Sequence, residues 1–276
     1  MAKRILVAVI FVPLLLVIML LLPPIVWTVV VMFISAVACF ELLRAAGERK
    51  VSLPMEAVSV LSAAALPLAV WAGAGEMAAG VCAFVVMAVS FWCAIRAYDE
   101  GRGVAIGTYQ VLLTLFGGVL IPLALSALVA LKCMEHGKYL VLLAVLLAFI
   151  TDGGAYFAGV FLGRHRGITR VSPNKSLEGY LGGFATGVIF ALLYGLVVSA
   201  ASGLSANYLS LALCGLLGAL ATELGDLVFS FIKRQFGVKD YGHLLPGHGG
   251  MLDRFDSMIF CAPVVLFLVL CLPAFG

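Results

Sequence analysis

The chain has 276 residues, 64% of them hydrophobic and 11% charged, whereas an ordinary soluble domain is about half apolar and about a quarter charged. A soluble fold of this length lacks the interior to hide so much apolar surface, so a soluble enzyme is excluded and nucleic acid is not expected as a partner. The formal net charge of +3 is too small to name a partner; where the charges fall is more informative.

A membrane-spanning helix needs roughly 20 mostly apolar residues, which gives this length about nine spans. The expectation is an all-α, polytopic integral membrane protein, a single membrane domain over 1–276. Mainly apolar scaffold helices fill 1–135, and catalytic helices with polar loops fill 136–276. In chain order the spans are expected at 5–22, 25–43, 57–73, 77–95, 107–131, 139–163, 179–200, 208–232 and 257–274. The opening Lys3-Arg4 and its apolar run read as a retained first span, because no small-x-small cleavage site follows. Pro23-Pro24 ends that span and makes a tight hairpin, since proline cannot continue a helix there. The seven cysteines lie in or beside apolar runs without a CxxC spacing and read as small buried hydrophobes.

Charge sets the expected orientation. With nine spans, 15 of the 17 basic residues fall on one side, and only Lys132 and Lys138 fall on the other. The positive-inside rule makes the basic side cytoplasmic, with the N-terminus inside and the C-terminus outside. The two long loops on that side, 164–178 and 233–256, also carry glycines, prolines, histidines and acids that topology does not require.

Four acids fall within spans: Glu41, Asp152, Glu223 and Asp226. A charge at the centre of a span costs about 2.5–3.5 kcal/mol on insertion scales, so each needs a partner or a cavity. Glu41 lies one turn from Arg44 and reads as its structural partner. Asp152 heads a stripe of Ala155, Tyr156, Gly159 and Gly163 that suits close helix packing. Asp226 follows Gly215, Gly218 and Thr222 on a similar stripe, and Gly179, Gly183 and Gly187 recur every four residues on the helix between. Packing explains the glycines but not the carboxylates. Asp152 and Asp226 are therefore read as metal ligands or their supports.

In the first long loop, Ser172-Pro173-Asn174-Lys175-Ser176-Leu177-Glu178-Gly179 places Lys175 between two serines as donors for phosphate oxygens. Ser176 and Glu178 suit the cap of the next helix. The stretch 230–256 packs four basic residues, two histidines and three aspartates into 27 positions. Gly247-His248-Gly249-Gly250 allows backbone amides close to a ligand. Asp253 and Asp256, three apart at a helix start, share a face, and with Arg254 adjacent they suit magnesium and phosphate.

The run Ser230-x-x-Lys233-Arg234-x4-Lys239-Asp240-x-Gly242-x3-Pro246-Gly247-His248-Gly249-Gly250-x2-Asp253-Arg254-x-Asp256 closely resembles the signature of phosphatidate cytidylyltransferases, or CDP-diacylglycerol synthases. Residues 172–179 resemble that family's SPKKTxEG block, with Asn174 and Ser176 as departures. Gly225-Asp226-Leu227 with Ser230 resembles its GDLxxS block, with Glu223 where glutamine is common. Asp152-Gly153-Gly154-Ala155-Tyr156 fits its Asp-x-x-Ala-Tyr element. The resemblance covers the last four spans well and the first five by hydropathy.

The resemblance implies transfer of CMP from CTP to phosphatidic acid, giving CDP-diacylglycerol and pyrophosphate. Asp226, Asp253, Lys233 and Arg254 are then expected as the catalytic set. Ser172, Lys175, Ser230, Arg234, Lys239, His248, Gly249 and Gly250 are expected to bind substrate. Magnesium is expected on Asp226 and Asp253 with Asp256 and Asp152 in support, with room for a second cation. The implied partners are CTP, phosphatidic acid and the bilayer, with a homodimer admitted. The implied location is the cell inner (plasma) membrane, multi-pass, with the site facing the cytoplasm. Two other readings stand beside this one: a CTP-dependent kinase of a membrane lipid alcohol, which would need a base for the hydroxyl, and a transporter, against which the acids cluster in one part of the chain.

Overall fold

The computed structural model describes residues 13–46, 51–101, 107–244 and 249–276. Among these it is helical without strands, and eight helices are long and apolar enough to cross a membrane. Of the first expected span, 5–22, residues 5–12 lie outside the described residues; its described part is helical over 13–21 (α1). The remaining helices are Pro24–Ala45 (α2), Leu53–Trp71 (α3), Gly75–Asp99 (α4), Thr108–Cys133 (α5), Gly137–Phe161 (α6), Leu177–Ser202 (α7), Tyr208–Gln235 (α8) and Leu252–Cys271 (α9). The chain is an all-α polytopic membrane protein. Several helices overrun their apolar windows, because a polar last turn such as Lys233-Arg234 continues the backbone ladder without adding hydropathy.

Local chemistry explains the helix starts. Pro24 begins α2 at a position where its missing N–H costs nothing. In α5 the helix widens to a π turn over Phe116–Leu120. There a side chain at Gly118 would lie 2.9 Å from the Ser59 Cα and one at Gly117 3.2 Å from Leu42. The seven cysteines are unpaired; Cys39, Cys214 and Cys261 are buried as expected, but Cys133 and Cys271 are exposed.

The chain forms two compact units. The first comprises the described residues within Met1–Ile18, Leu22–Ala130 and Gln235–Arg254. In it α2 packs on α3 and α3 on α4, around Leu66, Val86 and Val119. The Trp27 indole donates to the Leu128 carbonyl at 3.2 Å. Arg44 forms a two-pronged pair with Glu56 of α3, Nε to Oε2 at 3.1 Å and a terminal nitrogen to Oε1 at 3.0 Å. The expected Glu41–Arg44 pair is thus corrected: Glu56, in the first turn of the next helix, offers Arg44 both oxygens, and Glu41 is turned elsewhere.

The second unit comprises Met19–Leu21, Leu131–Arg234 and Phe255–Gly276. Small residues let its helices approach closely. Side chains added at Gly154 and Gly182 would overlap Thr186 and Ala158 across α6 and α7, and one at Gly215 would sit 2.7 Å from the Val188 Cα. A side chain at Gly225 of α8 would lie 2.9 Å from the Asp256 carbonyl and 3.1 Å from the Ser257 Cα of α9. The Gly179, Gly183 and Gly187 stripe is buried. Of the Asp152 stripe, Ala155, Gly159 and Gly163 meet α7 and its cap, but Tyr156 is 66% exposed.

Candidate active site

In the second unit, the loop before α7 folds back on itself. Arg166 and Ser176 pair as an isolated antiparallel bridge, and the Leu177 N–H donates to the His165 carbonyl at 3.0 Å. The Ser176 hydroxyl accepts from the Gly179 N–H at 3.1 Å and caps α7, as its position predicts. Glu178, in the first turn of α7, also closes the loop. Its carboxylate accepts from the Arg164 and His165 N–H groups and meets the His165 ring at 2.5 Å.

That closure carries Lys175 inward. Its Nζ lies 2.6 Å from Glu223 Oε2 and 2.6 Å from Asp226 Oδ2, both on α8, and 5.1 Å from the centre of the Tyr180 ring. Burial alone would lower the Lys175 pKa, but the Asp226 and Glu223 carboxylates outweigh it and raise it above the ordinary 10.5. The lysine is therefore a fixed cation at neutral pH. Glu223 is 3% exposed as a side chain, and its Oε1 accepts no hydrogen bond. Gly183 makes room for it: a side chain there would lie 2.8 Å from that oxygen.

Beside this group, Asp152 accepts a hydrogen bond from the Ser257 hydroxyl at 3.0 Å. Asp226, Asp256 and Glu223 all lie within electrostatic reach of Asp152. Asp256 is buried, with Oδ1 accepting the Ser257 N–H at 2.8 Å. Of the other expected residues here, Lys233 and Ser230 are partly exposed on α8. Arg234 is exposed and reaches the Val171 carbonyl at 3.5 Å. Ser172 is partly exposed, and its carbonyl accepts the Lys175 N–H at 3.2 Å.

In the first unit, the turn before α9 is built on two carboxylates. Asp253 Oδ2 accepts the N–H groups of Tyr241 at 2.9 Å and Gly250 at 3.0 Å. Glu41 Oε1 accepts the Met251 N–H at 3.0 Å, and Oε2 accepts the Leu252 N–H at 2.8 Å. Gly249 has φ +83°, the left-handed region that favours glycine. Lys239 and Arg254 are exposed beside this turn. His248 lies outside the described residues.

Sequence reasoning missed Glu41, Ser257 and the His165–Glu178 closure. A signal existed for Glu41, a carboxylate near the end of an apolar span, but its spacing from Arg44 pointed to the wrong partner. Ser257 and His165 carried none.

Carboxylate oxygens are the donor type that magnesium takes. The second unit brings Glu223, Asp226 and Asp256 within electrostatic reach of Asp152, and the Lys175 ammonium meets Glu223 and Asp226. One buried carboxylate oxygen lacks a partner. Among the described residues, no three histidine, cysteine or acidic side chains are grouped so that they could hold a metal ion.

The helices and this acid-and-lysine cluster define a polytopic membrane protein with a polar, carboxylate-rich centre. The family model described as "Cytidylyltransferase family" matches residues 2–272, and the chain belongs to that family. It is 41% identical over 135 residues to the phosphatidate cytidylyltransferase of Bacillus subtilis (strain 168), a match covering 49% of each chain. It is also 41% identical over 136 residues to that of Staphylococcus epidermidis (strain ATCC 12228 / FDA PCI 1200), and 41% over 138 residues to that of Staphylococcus aureus (strain COL). Both cover 49% of this chain and 51% of the relative. The matched stretch thus spans about half the length of these curated relatives.

Proposed function

We propose that the chain transfers CMP from CTP to phosphatidic acid, forming CDP-diacylglycerol and releasing pyrophosphate. The observation that carries this reading is the signature over 230–256 in a chain whose family match runs from 2 to 272. The names of its relatives support the same substrates.

A phosphate oxygen of the lipid attacks the α-phosphorus of CTP, and the bond to the β-phosphate oxygen breaks, so pyrophosphate leaves with that electron pair. A phosphomonoester has its second pKa near about 6 and is mostly ionised at neutral pH, so no general base is needed. The difficulty is bringing two polyanions together, and cations placed where charge accumulates reduce it. Lys233, Arg234, Lys239 and Arg254 are assigned to phosphates. Ser172, Ser230, His248, Gly249 and Gly250 would hold and orient them. Lys175, held between Glu223 and Asp226, offsets one of their two negative charges and would close the site with Ser172 from the other loop. Asp226 and Asp253, with Asp256 and Asp152 in support, are the residues assigned to magnesium. When bound, magnesium would neutralise phosphate charge and act as a Lewis acid. A second cation and a second copy of the chain are compatible with this assignment.

The one-sided basic loops favour a cytoplasmic site in the plasma membrane, where soluble CTP is at hand. Cysteine labelling in a cysteine-free background should find position 170 reactive from the cytoplasm and position 204 from outside. Reaction of both from one side would contradict that topology. The reaction is tested with CTP labelled in the cytidine and, separately, in the γ-phosphate. Cytidine label entering the lipid supports the proposal, whereas γ-phosphate label alone indicates a lipid kinase.

A further inference from the structure

The described part of the family-like run is held from a residue some 200 positions upstream. Glu41 sits near the end of α2 and is 5% exposed. Both its oxygens are spent on consecutive amides, Met251 and Leu252, at the start of α9. The preceding amide, Gly250, goes to Asp253, which also holds Tyr241. Two carboxylates thus divide the amides of one turn, and the turn's shape depends on both.

The glycines of this run have the same cause. A side chain at Gly242 would come 2.5 Å from Glu41 Oε1, and one at Gly250 2.5 Å from Oε2. Neither position has a left-handed backbone to explain a glycine. What they make room for is the Glu41 carboxylate. Its charge is answered by backbone N–H groups at the N-terminal end of a helix, where a negative group is favoured, since Arg44 is turned to Glu56.

We infer that Glu41 is a positioning residue for the reaction, holding the Gly249–Asp253 turn in the shape that presents Asp253. This rests on the proposed function for its catalytic part, but the structural part can be measured separately. A glutamate serving only to stabilise the fold would loosen the whole unit when removed. A positioning residue loosens the turn.

The test is hydrogen exchange by mass spectrometry on the purified full chain, with turnover measured in parallel. The variants are Glu41→Gln, Glu41→Ala, Gly242→Ala and Glu41→Ala/Gly242→Ala. A hydrogen bond to a charged group contributes enough that amides spanning 240–253 should exchange about tenfold faster or more in Glu41→Ala. The rise should be smaller in Glu41→Gln, which keeps one acceptor. Amides of α3 and α4 should not change. The turnover number should fall by about tenfold or more, with KM for CTP moving less than about threefold, because the substrate-binding cations remain. Gly242→Ala, whose side chain would meet the Glu41 carboxylate, should reproduce the loss. Added to Glu41→Ala it should cost nothing further, because the space it needs is then empty.

Unchanged exchange over 240–253 would overturn the inference. So would acceleration spread across the first unit, or losses that simply add in the double variant. If exchange shifts as described while even the native chain leaves CTP and phosphatidic acid unreacted, the proposed reaction fails and the positioning of the turn stands.

Discussion

Replacing Lys175 by methionine tests the centre of the second unit most severely. The lysine is 24% exposed and touches Glu223, which is 3% exposed, and Asp226, which is 29% exposed. Breaking a fully buried pair by removing one partner costs about 3–5 kcal/mol. Here solvent reaches Lys175 and Asp226, so screening reduces the expected loss to about 2–3 kcal/mol. The cost arises from the uncompensated charge on Glu223. Glu223→Gln in the Lys175→Met background should therefore recover about 1 kcal/mol or more, although the same change in the native chain is destabilising. Thermal unfolding of the four proteins in one detergent gives the cycle. The sign with pH also follows. Asp226 and Glu223 raise the Lys175 pKa, so its contribution is fully present below the unfolded value of 10.5 and is lost only as pH rises through the higher folded value. The gap between native chain and Lys175→Met should stay level from about pH 7 to about pH 10. Strictly additive losses in the cycle, or a gap that closes by about pH 9, would refute the reasoning.

Adjacent glycines should behave oppositely. Gly153→Ala meets nothing within 4 Å and should be neutral or slightly stabilising by helix propensity. Gly154→Ala, which collides with Thr186, and Gly215→Ala, which meets the Val188 backbone, should each lose about 1–3 kcal/mol in thermal unfolding. Ser176→Ala removes the α7 cap and should cost about 1 kcal/mol, with faster exchange confined to 164–180. Asp226→Asn and Asp253→Asn should each nearly abolish turnover, and the double change should cost little more if they act as one unit. An asparagine oxygen at 253 can still accept the Tyr241 and Gly250 amides, so that variant isolates the charge from the shape of the turn.

The helices were legible because a bilayer imposes a length and an apolar content on every span. Eight expected spans correspond to helices; their ends differ by up to five residues, with polar turns added at some ends and α3, α6 and α9 stopping two or three residues short. The glycines of α7 and α8 were legible as packing for a similar reason: spacings of four on α7 and of three and seven on α8 put them on one face whatever they meet. Ionic partners were less legible. Lys175 looked like a phosphate donor beside two serines, and its sequence neighbours gave no hint of Glu223 and Asp226, some 50 residues on. Glu41 was misread because one helical turn to Arg44 is a plausible pairing. Its actual partners are backbone amides, which carry no residue signature at all. The acids that gather around Asp152 could be named from sequence because a carboxylate inside a span needs a reason to be there, but the Ser257 hydroxyl that meets Asp152 is one small polar residue among many.

The most direct measurement is turnover of the purified chain in lipid or detergent with CTP and phosphatidic acid, with and without magnesium, following both lipid product and pyrophosphate. The account predicts CDP-diacylglycerol and pyrophosphate in equal amounts, dependent on magnesium and lost in Asp226→Asn. Transfer of phosphate without cytidine, or no lipid product from a chain shown to be folded, would contradict it.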